Sequence, residues 1–346
     1  MLFKRSSILV LSALLSLINL AHAGQPSADG VTLPPSPSSG RQSTDDAWWT
    51  GPLLAPNPAS LHQGGFDFEP YLIDSSSYGH FDRGWNVRGI DDRSNSYLAT
   101  FLFKYGLSDN FTLWIKPSIG YDELNHGKNS SSPQLGDTTV RLQYMFTKFH
   151  EGSWIPTVSL IVGESFPTGQ YDELGSRPAN GLGNGSFGTI LALYTGENFW
   201  LPTGRILRAR LDLTYTFQQD DVNVAGVSVY GTGQHFHGSA NPGNSFVAEL
   251  GLEYSLTRNW VPALDIVYGH TDGTQVHGYD VQRLSSGLAA VPANSNHRSS
   301  ESFNVAPALE YNWNKNWGVI AGVEVTFAGR NTTAYITPQI ALNIMY

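Results

Sequence analysis

Residues 333–346 read TAYITPQIALNIMY, and this closing stretch decides the fold. On an extended chain Ile336, Pro338, Ile340, Leu342, Ile344 and Tyr346 share one face, while Tyr335, Thr337, Gln339, Ala341, Asn343 and Met345 share the other. One face is oily and the other mixed. Chain ends usually fray into polar residues, so a strand that keeps its period to a terminal aromatic is either buried or lipid-facing. The first case is the closing strand of a soluble β-sandwich; the second is the closing strand of a membrane barrel.

Working outward, the composition is compatible with both. The chain has 346 residues, 36 glycines, 9 tryptophans, 16 tyrosines and 17 phenylalanines, and only 14% of it is charged. That suits many short strands and turns. A mean hydropathy of -0.21 is what a transmembrane barrel should show, because only alternate residues meet lipid. The ending also resembles the C-terminal strand by which outer-membrane barrels are recognised by the assembly machinery, which makes Leu342, Ile344 and Tyr346 the expected assembly signal.

The N-terminus predicts export. Lys4 and Arg5 precede the apolar run Ile8 to Leu20, and Ala21-His22-Ala23 supplies a cleavage site, so residues 1–23 read as a signal peptide. The run is about 13 residues where a membrane helix needs roughly 20. Without Lys4 and Arg5 the 20 basic residues become 18 against 29 acidic, a net charge of -11, which speaks against nucleic-acid binding. An exported chain without cysteine has no disulfide framework and must draw stability from the fold.

Residues 24–47 are Pro-, Ser- and Gly-rich and bury too little to offset the entropy of ordering; residues 48–65, WWTGPLLAPNPASLHQGG, add paired tryptophans to three prolines. The expectation is a flexible periplasmic arm over 24–65, with 48–65 a possible partial plug. Trp48 and Trp49 need a surface, either under the barrel or inside it.

From Phe66 the period becomes two. About twelve strand-like runs follow, at 66–73, 96–105, 111–121, 135–146, 154–164, 186–194, 206–217, 245–256, 260–270, 302–311, 317–327 and 334–346. Charges keep to one face, as where Leu207, Ala209, Leu211 and Leu213 oppose Arg208, Arg210 and Asp212. The connections then separate the sandwich from the barrel. Links after odd-numbered runs (74–95, 122–134, 165–185, 218–244, 271–301, 328–333) are mostly long. Those after even-numbered runs (106–110, 147–153, 195–205, 257–259, 312–316) are shorter, with 195–205 fitting least well. Outer-membrane barrels sort short periplasmic turns from long extracellular loops in this way, whereas a sandwich has no reason to. The fold predicted is all-β, a single closed antiparallel transmembrane barrel over 66–346.

Three of the short turns repeat a pattern: Lys104-Tyr105-Gly-Leu-Ser-Asp-Asn110-Phe111, Glu253-Tyr254-Ser-Leu-Thr-Arg-Asn259-Trp260 and Glu310-Tyr311-Asn-Trp-Asn-Lys-Asn316-Trp317. An inward charge is followed by an aromatic, a turn, Asn and a second aromatic. Asn is expected to supply a left-handed backbone. The aromatics, with Tyr144, Trp154, Trp200 and Tyr346, are expected to form a periplasmic girdle, and Tyr71, Tyr97, Tyr121, Phe217, Phe246, Tyr268 and Phe327 an outer one.

The segments WWTGPLLAPNP, GGFDFEPYLI, LSDNF and LGDTTVRLQYMF, with the aromatic C-terminus, resemble the outer-membrane barrels labelled a meta-pathway of phenol degradation family. That resemblance implies a bacterial outer-membrane channel for small, aromatic or hydrophobic solutes, and it carries no catalytic residue and no cofactor across. From the polar face, the residues expected to line the pore are Arg141, Arg208, Arg210, Asp212, Glu249, Glu253, Asp265, Glu310 and Glu324. They either pair across a narrow lumen or select solutes by charge. Expected partners are outer-membrane lipid, the assembly machinery and the solute. His235-Phe236-His237 has a spacing compatible with a metal, but loop histidines without cysteine are more often solvated, so no metal is expected. Two other classes stand beside the channel: an adhesive barrel whose long loops bind a partner, and a lipid-modifying enzyme. The enzyme lacks a G-x-S-x-G elbow, and no G-x-x-x-x-G-K-[ST] run suggests an energised pump.

Overall fold

The structure, a computed structural model, describes residues 40–90, 93–285 and 287–346. The expected signal peptide and residues 24–39 of the arm lie outside the described residues. Twelve strands form the wall: β1 (Phe66–Phe81), β2 (Ser94–Ser108), β3 (Phe111–Lys116 continued by Ser118–Leu124), β4 (Thr138–Thr147), β5 (Thr157–Phe166), β6 (Gly188–Trp200), β7 (Ile206–Gln218), β8 (Ser245–Tyr254), β9 (Trp260–Thr271), β10 (Ser300–Asn314), β11 (Trp317–Arg330) and β12 (Thr332–Met345). Each pairs antiparallel with its sequence neighbours, and β1 also pairs with β12, so the sheet closes. Phe68 lies opposite Ile344 and Tyr71 opposite Ala341 across that seam. Phe66 and Tyr346 exchange both backbone hydrogen bonds at its end, at 3.0 and 2.8 Å. Closure satisfies every edge, which a sheet in hydrocarbon requires.

The odd-even sorting of connections persists with corrected boundaries. β6 runs on to Trp200, so the ill-fitting link shrinks to residues 201–205. β1 runs to Phe81 rather than ending at residue 73. The expected link 328–333 is a single residue, Asn331, held at φ 51° between β11 and β12. Trp154, placed by the sequence at the start of a strand, sits in the turn before β5 and is 94% exposed.

Two of the long connections fold. Residues 222–225, 236–241, 275–284, 287–292 and 295–296 form a second, five-stranded sheet beyond the barrel rim. Its small core is Val224, Phe236, Ala240 and Val276. Their spacing is hidden among Gly, His and Asn, so the sequence shows only loops. At the base of loop 167–187, half-buried Asp137 accepts from the amides of Gly169 and Asn184 at 3.0 and 2.9 Å, and its partial desolvation pushes its carboxyl above the usual range.

The repeated turns work differently from the expectation. None of Asn110, Asn259 and Asn316 has a left-handed backbone. Each instead donates its side-chain amide to a carbonyl on the neighbouring strand: Asn110 to Met145 at 2.9 Å, Asn259 to Asn312 at 2.6 Å and Asn316 to Met345 at 3.3 Å. Each also accepts, through its own carbonyl, the backbone N–H of that same residue. The bend is capped by the residue two places earlier, where Ser108, Thr257 and Asn314 accept the next free amides. The motif therefore clamps one hairpin to the next. Its second aromatics stack on neighbours as a girdle must, with Phe111–Tyr144 at 4.7 Å, Trp260–Tyr311 at 4.6 Å and Trp317–Tyr346 at 6.1 Å between ring centres.

Alternation holds through the wall: Leu211 and Phe217 are exposed outward while Arg210 and Asp212 are buried inward on β7. Tyr71 corrects the outer girdle. It shares parity with Asp67 and Glu69, faces the lumen, and donates its hydroxyl to Glu69 at 2.8 Å. On the outside, Tyr268 stacks with Phe303 at 4.9 Å and Phe303 with Phe327 at 6.3 Å.

Candidate functional site

The lumen is built by the inward residues of the wall together with residues 48–65. This segment has no regular structure, because its prolines remove donors and its turns break any ladder. Its unpaired backbone groups must still be satisfied, and the wall charges satisfy them. Asp265 on β9, fully buried, accepts the consecutive amides of Leu53, Leu54 and Ala55 at 2.9, 3.3 and 3.1 Å. Glu310 on β10 accepts those of Thr50 and Gly51 at 2.6 and 3.3 Å. Arg210 donates to the carbonyl of Ala55 at 3.0 Å. Gln143 donates to that of Pro58 at 2.8 Å, and Ser159 shares the same acceptor at 2.5 Å.

Apolar packing adds to these bonds. Leu53 is 2% exposed and packs with Ala263, Ala306, Ile320 and Ala341, three alanines and an isoleucine from four strands. Four wall glycines make room for the segment: a Cβ on Gly251 would fall 2.8 Å from Ala55 Cβ and Pro52 Cγ, one on Gly106 2.0 Å from the His62 carbonyl, one on Gly196 2.7 Å from Pro58 Cγ and one on Gly318 2.0 Å from the Thr50 hydroxyl. Both ends of the segment stay near the short turns. Gln42 accepts from Trp200 at 2.8 Å and donates to Ser255 at 2.8 Å, while Gln63 donates its amide to Asp109 at 2.9 Å. The two tryptophans divide between rim and lumen, Trp48 against the Arg258 guanidinium and Trp49 against that of Arg208, at 5.2 and 4.5 Å. The segment is thus an inverted loop that enters from the turn side and returns there.

Arg208, Arg210 and Glu253 form one ionic cluster. Glu253, fully buried, takes Arg208 in a bidentate grip at 2.6 and 2.5 Å, and Arg210 lies 3.2 Å from the same carboxylate. Lys104 joins Asp67 and Glu69 at 3.1 and 2.5 Å, and Asn343 bridges the same carboxylates at 3.2 Å each. In both clusters the central charge belongs to the first position of the turn repeat. Glu324 accepts from Gln339 at 3.1 Å. Asp212 is 1% exposed with neither oxygen hydrogen-bonded, opposite Glu249 in the β7–β8 ladder. Arg141 donates to the Tyr194 hydroxyl at 2.9 Å.

Seven of the nine residues read from the sequence for this lumen thus have placed partners: Arg208, Arg210 and Glu253 in one cluster, Asp265 and Glu310 on the segment's backbone, Arg141 on Tyr194 and Glu324 on Gln339. The sequence reading assigned no lumenal role to Gln143, Ser159, Tyr71 or Tyr194. All four lie on the inward parity of their strands, so alternation alone could have found them.

What the segment leaves open is a cavity of about 440 Å³. Leu54, Ile73, Leu98 and Val247 give it apolar wall; the two ionic clusters reach it through Asp67, Glu69, Lys104, Arg208 and Arg210, and Lys116, Arg141 and Glu249 add further charge. By register Glu249 and Val247 lie beyond Asp265, on the far side of the segment's tip from the short turns.

A protein-family model described as MetA-pathway of phenol degradation matches residues 87–338. The chain belongs to that family. LSDNF and LGDTTVRLQYMF fall inside the matched range, whereas the N-terminal segment, all of β1 and the aromatic C-terminus fall outside it. Among solved structures, an outer-membrane channel from Pseudomonas putida F1 is 14% identical, with 85% of this chain and 100% of that chain covered at a TM-score of 0.58. The translocator domain of autotransporter NalP from Neisseria meningitidis is 12% identical, with 82% and 89% covered at 0.43. No curated protein matches the chain. The family member is a bacterial outer-membrane β-barrel of twelve strands.

Proposed function

We propose that the protein is an outer-membrane channel for small hydrophobic or aromatic solutes, which cross down their own gradient, and that residues 48–65 plug it. The carrying observation is the cavity of about 440 Å³ inside a closed ring, lined by apolar and polar side chains together, with a non-regular segment along it. That volume falls within the range of small-ligand sites, roughly 300–1,000 Å³. The family's link to phenol degradation and the shared fold with an outer-membrane channel support the reading. Pore-lining roles for Arg141, Glu249 and Glu324 belong to it, as does recognition of Leu342, Ile344 and Tyr346 by the assembly machinery, and contact of the outward aromatics with lipid. A lipid-modifying enzyme fits less well. His270, the strand histidine at the outer rim, has both ring nitrogens directed at carboxylates, Asp272 at 3.2 Å and Glu301 at 3.7 Å, rather than at a nucleophile. The adhesive reading draws on one observation, the second sheet, whose strand Gly287–Pro292 exposes Leu288.

The test is uptake by proteoliposomes holding the full chain. Charged single-ring probes cross lipid slowly, so benzenesulfonate or phenyltrimethylammonium should enter faster than into empty vesicles. Equal rates for both probes in both preparations would refute the channel.

A further inference from the structure

The lumenal cations fall into two classes. Lys104, Arg208 and Arg210 each lie within ion-pair distance of a buried carboxylate. Lys116 and Arg141 are also inside the ring, yet among the described residues neither has a carboxylate at that distance. They sit on adjacent strands, where β3 and β4 pair Lys116 with Thr139 and Trp114 with Arg141. Arg141 spends one N–H on the Tyr194 hydroxyl. The charged groups that face Lys116 are Arg141, a like charge, and Glu249 on β8. Glu249 is drawn on by both cations and is itself crowded by Asp265 and Glu324.

Two cations that share one more distant carboxylate, Glu249, carry a solvation cost that the other three recover from partners in direct contact. Both line the same cavity, whose apolar lining includes Ile73 and Leu98 on the neighbouring β1 and β2 and Val247 on β8. A ligand that fits this arrangement has an anionic head for the paired cations and a flat or compact apolar body for the rest. We infer that the cavity is a binding site for small monoanions with an apolar body, of the arene carboxylate or sulfonate class, held by Lys116 and Arg141. The inference rests on the channel reading for its meaning, since it names the solute the channel would prefer. Arg141 supplies the forked donors that suit a two-oxygen head, and Lys116 supplies a point charge beside it. Glu249 makes the site selective by repelling dianions and any second negative group.

Calorimetric titration of the purified full chain in detergent tests the site without requiring passage. Benzenesulfonate is the probe, with its neutral isostere benzenesulfonamide and the cation phenyltrimethylammonium as controls. The anion should bind at least about tenfold more tightly than either control, the scale of one charge contact in a desolvated site. Lys116→Met and Arg141→Gln should each lose about tenfold or more of that affinity, and Lys116→Arg should keep most of it. Heat-modified mobility in gels checks that each variant is a folded barrel. Equal affinity for all three probes, or unchanged affinity in folded Lys116→Met, overturns the inference. Uptake into proteoliposomes without preference for the anion overturns it too and leaves the channel standing. Anion binding without any uptake overturns the channel, and with it the site's role for a transported solute.

Discussion

Replacing Glu253 with alanine should destabilise the barrel by about 3–5 kcal/mol, the cost of breaking a buried ion pair from one side. Glu253 is fully buried and is the shared acceptor of Arg208 and Arg210. Removing it leaves two guanidiniums in the lumen without a carboxylate in direct contact, resting on the Trp49 ring and the Ala55 carbonyl with Glu310 and Asp212 nearby. Urea unfolding in lipid vesicles, followed by tryptophan fluorescence, measures the loss. A double substitution separates charge from packing: Glu253→Met combined with Arg208→Met removes both members of the bidentate pair and should recover a substantial part of the stability. No change in Glu253→Ala would mean that the cluster is solvated and that its geometry holds nothing in place.

The second large effect concerns the latch on the segment. Asp265 holds three consecutive backbone amides and Glu310 two more. Hydrogen bonds to a charged group contribute about 1.5–3 kcal/mol each. The wall keeps these carboxylates whether or not the segment is seated, so the same bonds decide how often it leaves. Asp265→Ala together with Glu310→Ala should raise the population of the open channel by about tenfold or more, since each 1.4 kcal/mol is tenfold. Single-channel recording in planar bilayers reads this directly as longer or more frequent open events. An open probability unchanged from the parent would show that the bonds order the segment without controlling passage.

How much of this was legible in the sequence follows from which groups the chain uses. The wall was legible because its information lies in side-chain parity: Asp67, Arg208, Arg210 and Glu253 sit inward wherever period two places them, and the odd-even sorting of links orients the ring. Boundaries slipped where parity carries no signal, as in the turn 201–205 and at Asn331. Tyr71 was misplaced through its residue type, because an aromatic near a strand middle suggests a belt, although its parity with Asp67 and Glu69 already put it inside. The position of residues 48–65 was not legible for a different reason. Nearly all of its bonds to the wall use its own backbone, which every residue has, so Leu53, Leu54 and Ala55 give no sign that an aspartate more than two hundred positions later holds them. The wall side of that contact leaves a faint mark in Gly106 and Gly251, where a strand lacks a side chain at an inward position. The turn repeat was visible and its aromatics were read correctly, but the role of its asparagine depends on a neighbour from the next hairpin, which spacing within one turn cannot show.

The most direct measurement of the central claim is single-channel conductance of the full chain beside a chain lacking residues 42–61, both as folded barrels in planar bilayers. If the segment is the plug of a channel, the full chain shows brief, small openings and the shortened chain a steady and severalfold larger conductance. Identical conductance in the two, or none in the shortened barrel, would contradict the account.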